Sequence, residues 1–393
     1  MLTTRKRNAL VLSGVVIAAA ASFVLFGRSS GKSGSSVLDA IPADAFLVAT
    51  FDIAALRNCP LAAPLAPFVA KLGASEVEAQ CGFEPIARVD QLAVAIPEGQ
   101  DGEFGILAHG NLSREEMSKC ASAVISARGG SPAEAKSGNF SLVSDATSAL
   151  GTPSKIGWDD SGLVLIGRGG WFGEMMDASL ARRPRITSNA AHTELREALG
   201  KSRLVTITTT LPAALRRKIE RQMQSDSEGE NAMMQGVLGV GAAGIAVGIT
   251  GDQTEIVLEL RCDTTDACTQ VQTLIAKKKA DWSANLTFRA FGIAALMDAL
   301  ELQVDGQKLH AKTHVATGDA RRLIERALAF RDGKLPKMPA GDAGAEPPTL
   351  SPRSNSVDRK LDTADEVFPA RTHVVGSDAG ARTRKTPNAD GGL

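Results

Sequence analysis

Two stretches of this chain, 46–57 (FLVATFDIAALR) and 205–216 (VTITTTLPAALR), alternate apolar residues, turn to a helical pattern, and close on the same tetrapeptide, Ala-Ala-Leu-Arg. The same succession of elements follows each. Residues 91–110 and 243–260 read as two short strands around a polar, glycine-containing turn, with LAVAI (92–96) lying opposite IAVGI (245–249). Helices come next: SREEMSKCASAVISAR from Ser113, opened by the capping box Ser113-x-x-Glu116, and TTDACTQVQTLIAKKK from Thr264, which Asp263 is placed to cap. A second strand pair follows, 155–169 in the first half and 302–316 in the second. A helix then closes each half, around Trp171–Leu180 and Asp319–Phe330. This order predicts an α+β fold of two tandem related modules, 41–200 and 201–330, with largely antiparallel sheets and packed helices.

One segment admits a different reading. GVLGVGAAGIAVGIT (236–250) contains Gly239-x-Gly241-x-x-Gly244, the spacing of a dinucleotide-binding loop, inside an uncharged run from Asn231 to Gly251. A dinucleotide fingerprint needs strand, glycines, helix in that order. Here a short helix (NAMMQGVL) precedes the glycines and a strand follows them. The segment is therefore expected to be the first strand of the second central hairpin, with no nucleotide bound. Gly27 to Ser33 imitates a phosphate loop but has three residues between its glycines where four are required.

The N-terminus sets the expected location. Arg5-Lys6-Arg7 precedes an uncharged run from Ala9 to Gly27, which as a helix rises about 28 Å and matches the hydrocarbon thickness of a bilayer. The basic end is expected in the cytoplasm (1–8), with 9–27 a transmembrane signal anchor and 28–40 a flexible tether. The bulk of the chain would then be periplasmic, on a bacterial inner membrane. A cleavable signal peptide competes through AAAAS (18–22), but FVLF extends the apolar run past the usual length of such a signal.

Outside the cytoplasm, five cysteines are expected to form two disulfides and leave one thiol. Cys262 and Cys268 are close enough for a local bridge. Cys59 and Cys81 flank a helical stretch and are the candidates for a second. Cys120 is then the unpaired thiol, on the apolar side of its helix.

Candidate chemistry is weak elsewhere. His310 and His314 share a strand face but lie about 13 Å apart along it, too far to share a metal ion. A Cys120–His109 nucleophile is disfavoured by the expected burial of the helix face, and Trp158-Asp159-Asp160-Ser161-Gly162 is ordinary turn chemistry. No catalytic, cofactor or metal residues are assigned. Lys plus Arg and Asp plus Glu balance at 44 each, so no basic field attracts nucleic acid, and the 13 Phe, 3 Trp and absence of Tyr leave little for base stacking. Three basic clusters, Arg182-Arg183-Pro184-Arg185, Arg216-Arg217-Lys218 and Lys277-Lys278-Lys279, are expected to be solvated faces, with contact to anionic lipid as the alternative. Beyond the second module, 331–393 is rich in Pro, Gly, Asp, Ser and Arg, a composition that forms no core and predicts disorder.

IPADAFLVATFDIAALRNCPLAAPL (41–65) resembles the opening of membrane-anchored bacterial envelope proteins grouped under a domain of unknown function, with an IPADA-like opening strand and repeated strand–helix modules. The resemblance extends over roughly 38–330. It implies location and architecture and carries no catalytic residues across. The expected role is a non-enzymatic binding or interaction module, partnered by the membrane through its N-terminal helix and by another envelope protein. An envelope hydrolase with its site in the cleft between modules is the alternative.

Overall fold

Alternating burial decides the strands, and at the centre of the sheet both faces are covered. In β1 (Ala45–Asp52), Val48 points into one core and Ala49 and Phe51 into the other, so the strand is apolar on both sides and polar only toward its end. The computed structural model describes residues 36–69, 75–98, 103–147, 154–201, 203–223 and 236–331. The expected anchor (9–27), the cytoplasmic end before it, the tether up to residue 35, and the tail from 332 lie outside the described residues, as does most of NAMMQGVL.

Eleven further strands join β1: β2 (Val89–Pro97), β3 (Gly105–Gly110), β4 (Pro132–Ser137), β5 (Phe140–Asp145), β6 (Ser154–Trp158), β7 (Leu163–Arg168), β8 (Val205–Thr210), β9 (Val240–Thr250), β10 (Gln253–Cys262), β11 (Glu301–Asp305) and β12 (Lys308–Ala316). They form one antiparallel sheet in the order β11-β12-β10-β9-β8-β1-β2-β3-β7-β6-β5-β4. The two expected sheets are thus one. They meet at a seam where β1 pairs with β8 from Leu47 opposite Thr209 to Phe51 opposite Val205. Outward from that seam the order is β1-β2-β3-β7-β6 in one direction and β8-β9-β10-β12-β11 in the other, with the hairpin β4–β5 added at the first end. The glycine-rich segment is strand β9, as its place after a helix and before a polar turn predicts.

Helices cover both faces. On one face, α1 (Ile53–Arg57), α3 (Arg114–Ala127), α7 (Thr265–Ala284) and α10 (Thr317–Arg331) bury Leu56, Met117, Ala121, Cys268, Val271 and Ala320 against the sheet. On the other, α4 (Gly169–Ser179) inserts Trp171, Phe172 and Met175 beneath β3 and β7, and α5 (Ala190–Leu199) places Leu195 and Leu199 over β8, β9 and β10. Each fully buried side chain of that size stabilises the fold by about 1.5–3 kcal/mol. The helices closing each half, α4 and α10, therefore lie on opposite faces, a divergence that the matched order of elements does not reveal.

Two local predictions are corrected. Thr264, not Asp263, caps α7: its hydroxyl accepts from Ala267 N at 3.1 Å, while Asp263 is drawn away to the guanidinium of Arg216. At α3 the Ser113 cap forms, accepting from Glu116 N at 3.3 Å, but Glu116 turns its carboxylate to Arg88 and the Ser113 hydroxyl.

A candidate site at the seam of the sheet

The site begins with Asn189. Its side-chain oxygen accepts from the backbone N–H groups of Ala191 and His192 and so starts α5, and its amide donates to the carbonyl of Ala43 at 2.8 Å. One turn on, His192 is fully buried between α5 and the seam. Its Nε2 donates to the carbonyl of Ala45 at 3.0 Å, which leaves Nδ1 to accept from the Thr208 hydroxyl at 2.7 Å. Burial, opposed by the bond to Ala45 and assisted by the nearby charge of Arg196, pushes the imidazole below its ordinary pKa. α5 is thereby bonded to β1, although its apolar face sits on the second half of the sheet.

Another turn on, Arg196 reaches the same strand. Its Nη2 donates to the Thr50 hydroxyl at 3.2 Å, and Thr50 in turn donates to the Thr206 carbonyl across the seam. Nη1 is sealed from solvent and has no acceptor. Among the described residues no carboxylate pairs with this guanidinium, and burial lowers its pKa. α5 then ends at Gly200, whose φ of 86° is the left-handed region that a side chain would oppose, and the chain passes to exposed Lys201.

Beside Arg196 lies a cleft of about 340 Å³, bordered by Ser36, Asp52, Gln91, Lys201, Arg203 and Thr206 together with Thr50. Two of these charges are committed. Asp52 accepts from Ala55 N at 2.8 Å at the start of α1, and Arg203 pairs with Glu255 while its Nε caps α5 through the Leu199 carbonyl. Lys312 and Arg203 together hold Glu255 at a pKa of about 2. Arg196 and Lys201 are the cations of the cleft without a paired carboxylate among the described residues, and Asp52 keeps its negative charge there.

A larger hollow of about 570 Å³ separates α3 from β4–β6. Arg114 on its border pairs with Asp160 at 2.9 Å, and Glu134 accepts from the Ser118 hydroxyl at 2.9 Å, while Arg114 Nε and Trp158 Nε1 are buried without an acceptor.

The residues singled out in the sequence fall mostly outside the seam. Cys262 and Cys268 form the local bridge. The expected Cys59–Cys81 bridge is not formed: Cys81, at the end of α2 (Ser75–Cys81), is bonded to Cys120 on α3, and Cys59 is the free, buried thiol. The reason is packing. α2 lies along α3, which brings Cys81 to the helix face that presents Cys120, while Cys59 turns inward with Leu56 and Leu61. Cys120 is therefore not the unpaired thiol expected from the sequence, and its sulfur is not available as a nucleophile. His310 Nδ1 donates to the Glu259 carboxylate at 3.1 Å. Asp159 accepts from Ser161 N, the Ser161 hydroxyl and Leu163 N, and Gly162 follows at φ 86°, so the acidic pair is a turn. In the first basic cluster Arg183 pairs with Asp44 and Glu174, and Arg185 with Asp39; in the second, Arg216 pairs with Asp263. Sequence reasoning missed Arg196 and His192. The one available signal was their i, i+4 spacing after an Asn cap.

No protein-family model matches the chain, and no curated protein does. Among solved structures, crystal form III of TP0453 aligns with a TM-score of 0.43 and 12% identity over 75% of this chain and 99% of that one. Crystal form I of TP0453 aligns with a TM-score of 0.40 and 11% identity, over 75% and 98%.

Proposed function

We propose that this chain is a membrane-anchored, extracytoplasmic binding protein without catalytic activity, and that its ligand site is the seam cleft. The observation that carries the reading is Arg196, a half-buried cation with one protein hydrogen bond and no paired carboxylate, on the border of an open cleft. Burying a charge without a counter-charge costs several kcal/mol, a cost that a ligand offsets and that packing alone does not reward. The hydrolase alternative would draw on the polar lining of the cleft, but its single carboxylate, Asp52, is held at the N-terminus of α1. The paired cysteines agree with an oxidising compartment, and Arg5-Lys6-Arg7 before the apolar run orients the anchor. We further propose that the two halves are related modules joined edge to edge, a reading supported by the common strand order outward from β1 and β8. The opening residues 41–65 keep their resemblance to envelope proteins as part of this proposal.

The test is protease treatment of spheroplasts carrying the full chain. Loss of the 36–331 region with retention of a membrane-embedded stub is the expected result. Full protection of that region until the membrane is lysed would overturn the location.

A further inference from the structure

We infer that the seam cleft binds a phosphate-sized oxyanion, held by Arg196 with help from Lys201; the inference rests on the binding role proposed above. Three independent features support it. Of the five N–H donors of the Arg196 guanidinium, one is satisfied on the Thr50 hydroxyl and the two on Nη1 are sealed from solvent without an acceptor, which leaves Nε and the second Nη2 donor without a protein acceptor among the described residues. Every other charge at the cleft with a structural task has a named partner: Arg203 has Glu255, and Asp52 has Ala55 N. With Arg203 balanced by Glu255, the two cations Arg196 and Lys201 stand against the single carboxylate of Asp52, so the cleft keeps a net positive charge. Lastly, the volume of about 340 Å³ suits a small anion or a single headgroup and excludes a folded partner.

The geometry agrees with the chemistry. A planar guanidinium matches a phosphate or carboxylate edge with two parallel N–H···O bonds. The Thr50 and Thr206 side chains and Gln91 add neutral polar groups on the same border. Because α5 is fixed at its start by Asn189 and His192, Arg196 is delivered to the seam before any ligand arrives. Two sources supply such a group. Ser36 borders the cleft and stands nine residues after Gly27, so in the proposed topology the cleft lies within about 30 Å of the bilayer, close to lipid phosphodiesters as well as to soluble phosphates.

The test uses the full-length protein in detergent. Inorganic phosphate is titrated at constant ionic strength into wild type, Arg196→Met, Arg196→Lys and Lys201→Gln. The expected result is saturable single-site binding, weakened at least tenfold by R196M, less by R196K, and a few-fold by K201Q. R196M is also expected to melt no lower than wild type without phosphate, since it removes a half-buried unpaired charge; a clear drop would mark Arg196 as a structural residue and overturn the inference. Competition by phosphatidylglycerol vesicles would identify a headgroup as the source, and failure to compete a soluble anion; both support the oxyanion. Phosphate binding that is absent, or unchanged in R196M, overturns it. Native mass spectrometry of the purified protein separates the two levels. An uncharged adduct with no phosphate binding sinks the oxyanion alone, whereas no adduct and no binding removes the binding role as well.

Discussion

His192 shows how a single buried side chain can set the acid limit of this fold. Its imidazole is neutral, with both nitrogens committed, so the folded state resists protonation. Since its folded pKa lies below the unfolded value near 6.5, the unfolded chain binds the proton first. The stability contributed is full above pH about 6.5 and is lost as pH falls from there toward the folded pKa. Urea midpoints measured between pH 8 and 5 should fall with acid in wild type and stay flatter in His192→Gln, which is itself less stable by about 1–3 kcal/mol at pH 8. Equal slopes in the two proteins would reject the assignment. Glu255 has its own window: with Lys312 and Arg203 holding it at about 2, its contribution is present above pH about 4.5 and is lost below that.

Cysteine identity was half legible for a related physical reason. Six residues that pass from a strand end into the first turn of a helix bring Cys262 and Cys268 together locally, whereas the partner of Cys81 depends on which helix α2 packs against. Sequence spacing contains the first fact and not the second. Arg196 was illegible because its significance is the absence of a counter-charge, and that is a property of three-dimensional neighbours.

Among the elements, α5 and β9 fit together through missing side chains. A Cβ built on Gly244 would sit 2.8 Å from Leu199 Cδ1, and one on Gly248 would sit 2.9 Å from the Arg203 guanidinium. Of the glycines that imitate a nucleotide loop, Gly244 lies under α5, whereas Gly239 faces Ala267 of α7. Gly244→Val should cost about 1–3 kcal/mol through overpacking. It should also loosen the seam cleft, read as weakened phosphate binding alongside a lowered urea midpoint. A variant of unchanged stability would show that α5 floats free of the sheet.

The disulfides make a second comparison at this scale. Cys81–Cys120 closes a span of 39 residues and Cys262–Cys268 a span of 6, so loop-closure entropy assigns about 4 and about 2 kcal/mol to them. Cys81→Ser with Cys120→Ser is expected to destabilise more than the corresponding pair at 262 and 268. Limited proteolysis of the first variant should cut within 58–88, the segment that α2 and its bridge hold against α3. Cleavage elsewhere first would remove that role from the bridge.

For the whole molecule, the thiol inventory tests location and fold together. Denatured without reductant, the protein from native membranes should yield one alkylated cysteine, Cys59, and with reductant five. In the folded state Cys59 should react slowly, because burial raises its pKa and shields its sulfur. Five reactive thiols without reductant would argue for a reducing compartment. Much of the succession of strands and helices was legible at this scale because alternation and helical periodicity survive in the sequence, although the hairpin β4–β5 and the helix α5 were not read from it. The fusion of the sheets was not. Nothing in the alternation of β1 or β8 specifies which strand lies on the outer edge of each, and the pairing that joins them is a choice made among exposed backbone groups.

That choice has a further consequence. α5 precedes β8 in sequence yet packs on β8, β9 and β10, while β1 supplies the edge that β8 needs. A chain severed between Lys201 and Arg203 would give two fragments, each with an uncapped strand at its interior end and the first also with an unhoused helix. Neither deficit can be repaired within its own fragment. Coexpressed pieces should therefore find each other and rebuild the molecule, which makes this junction a natural place to divide the protein into a two-part reporter.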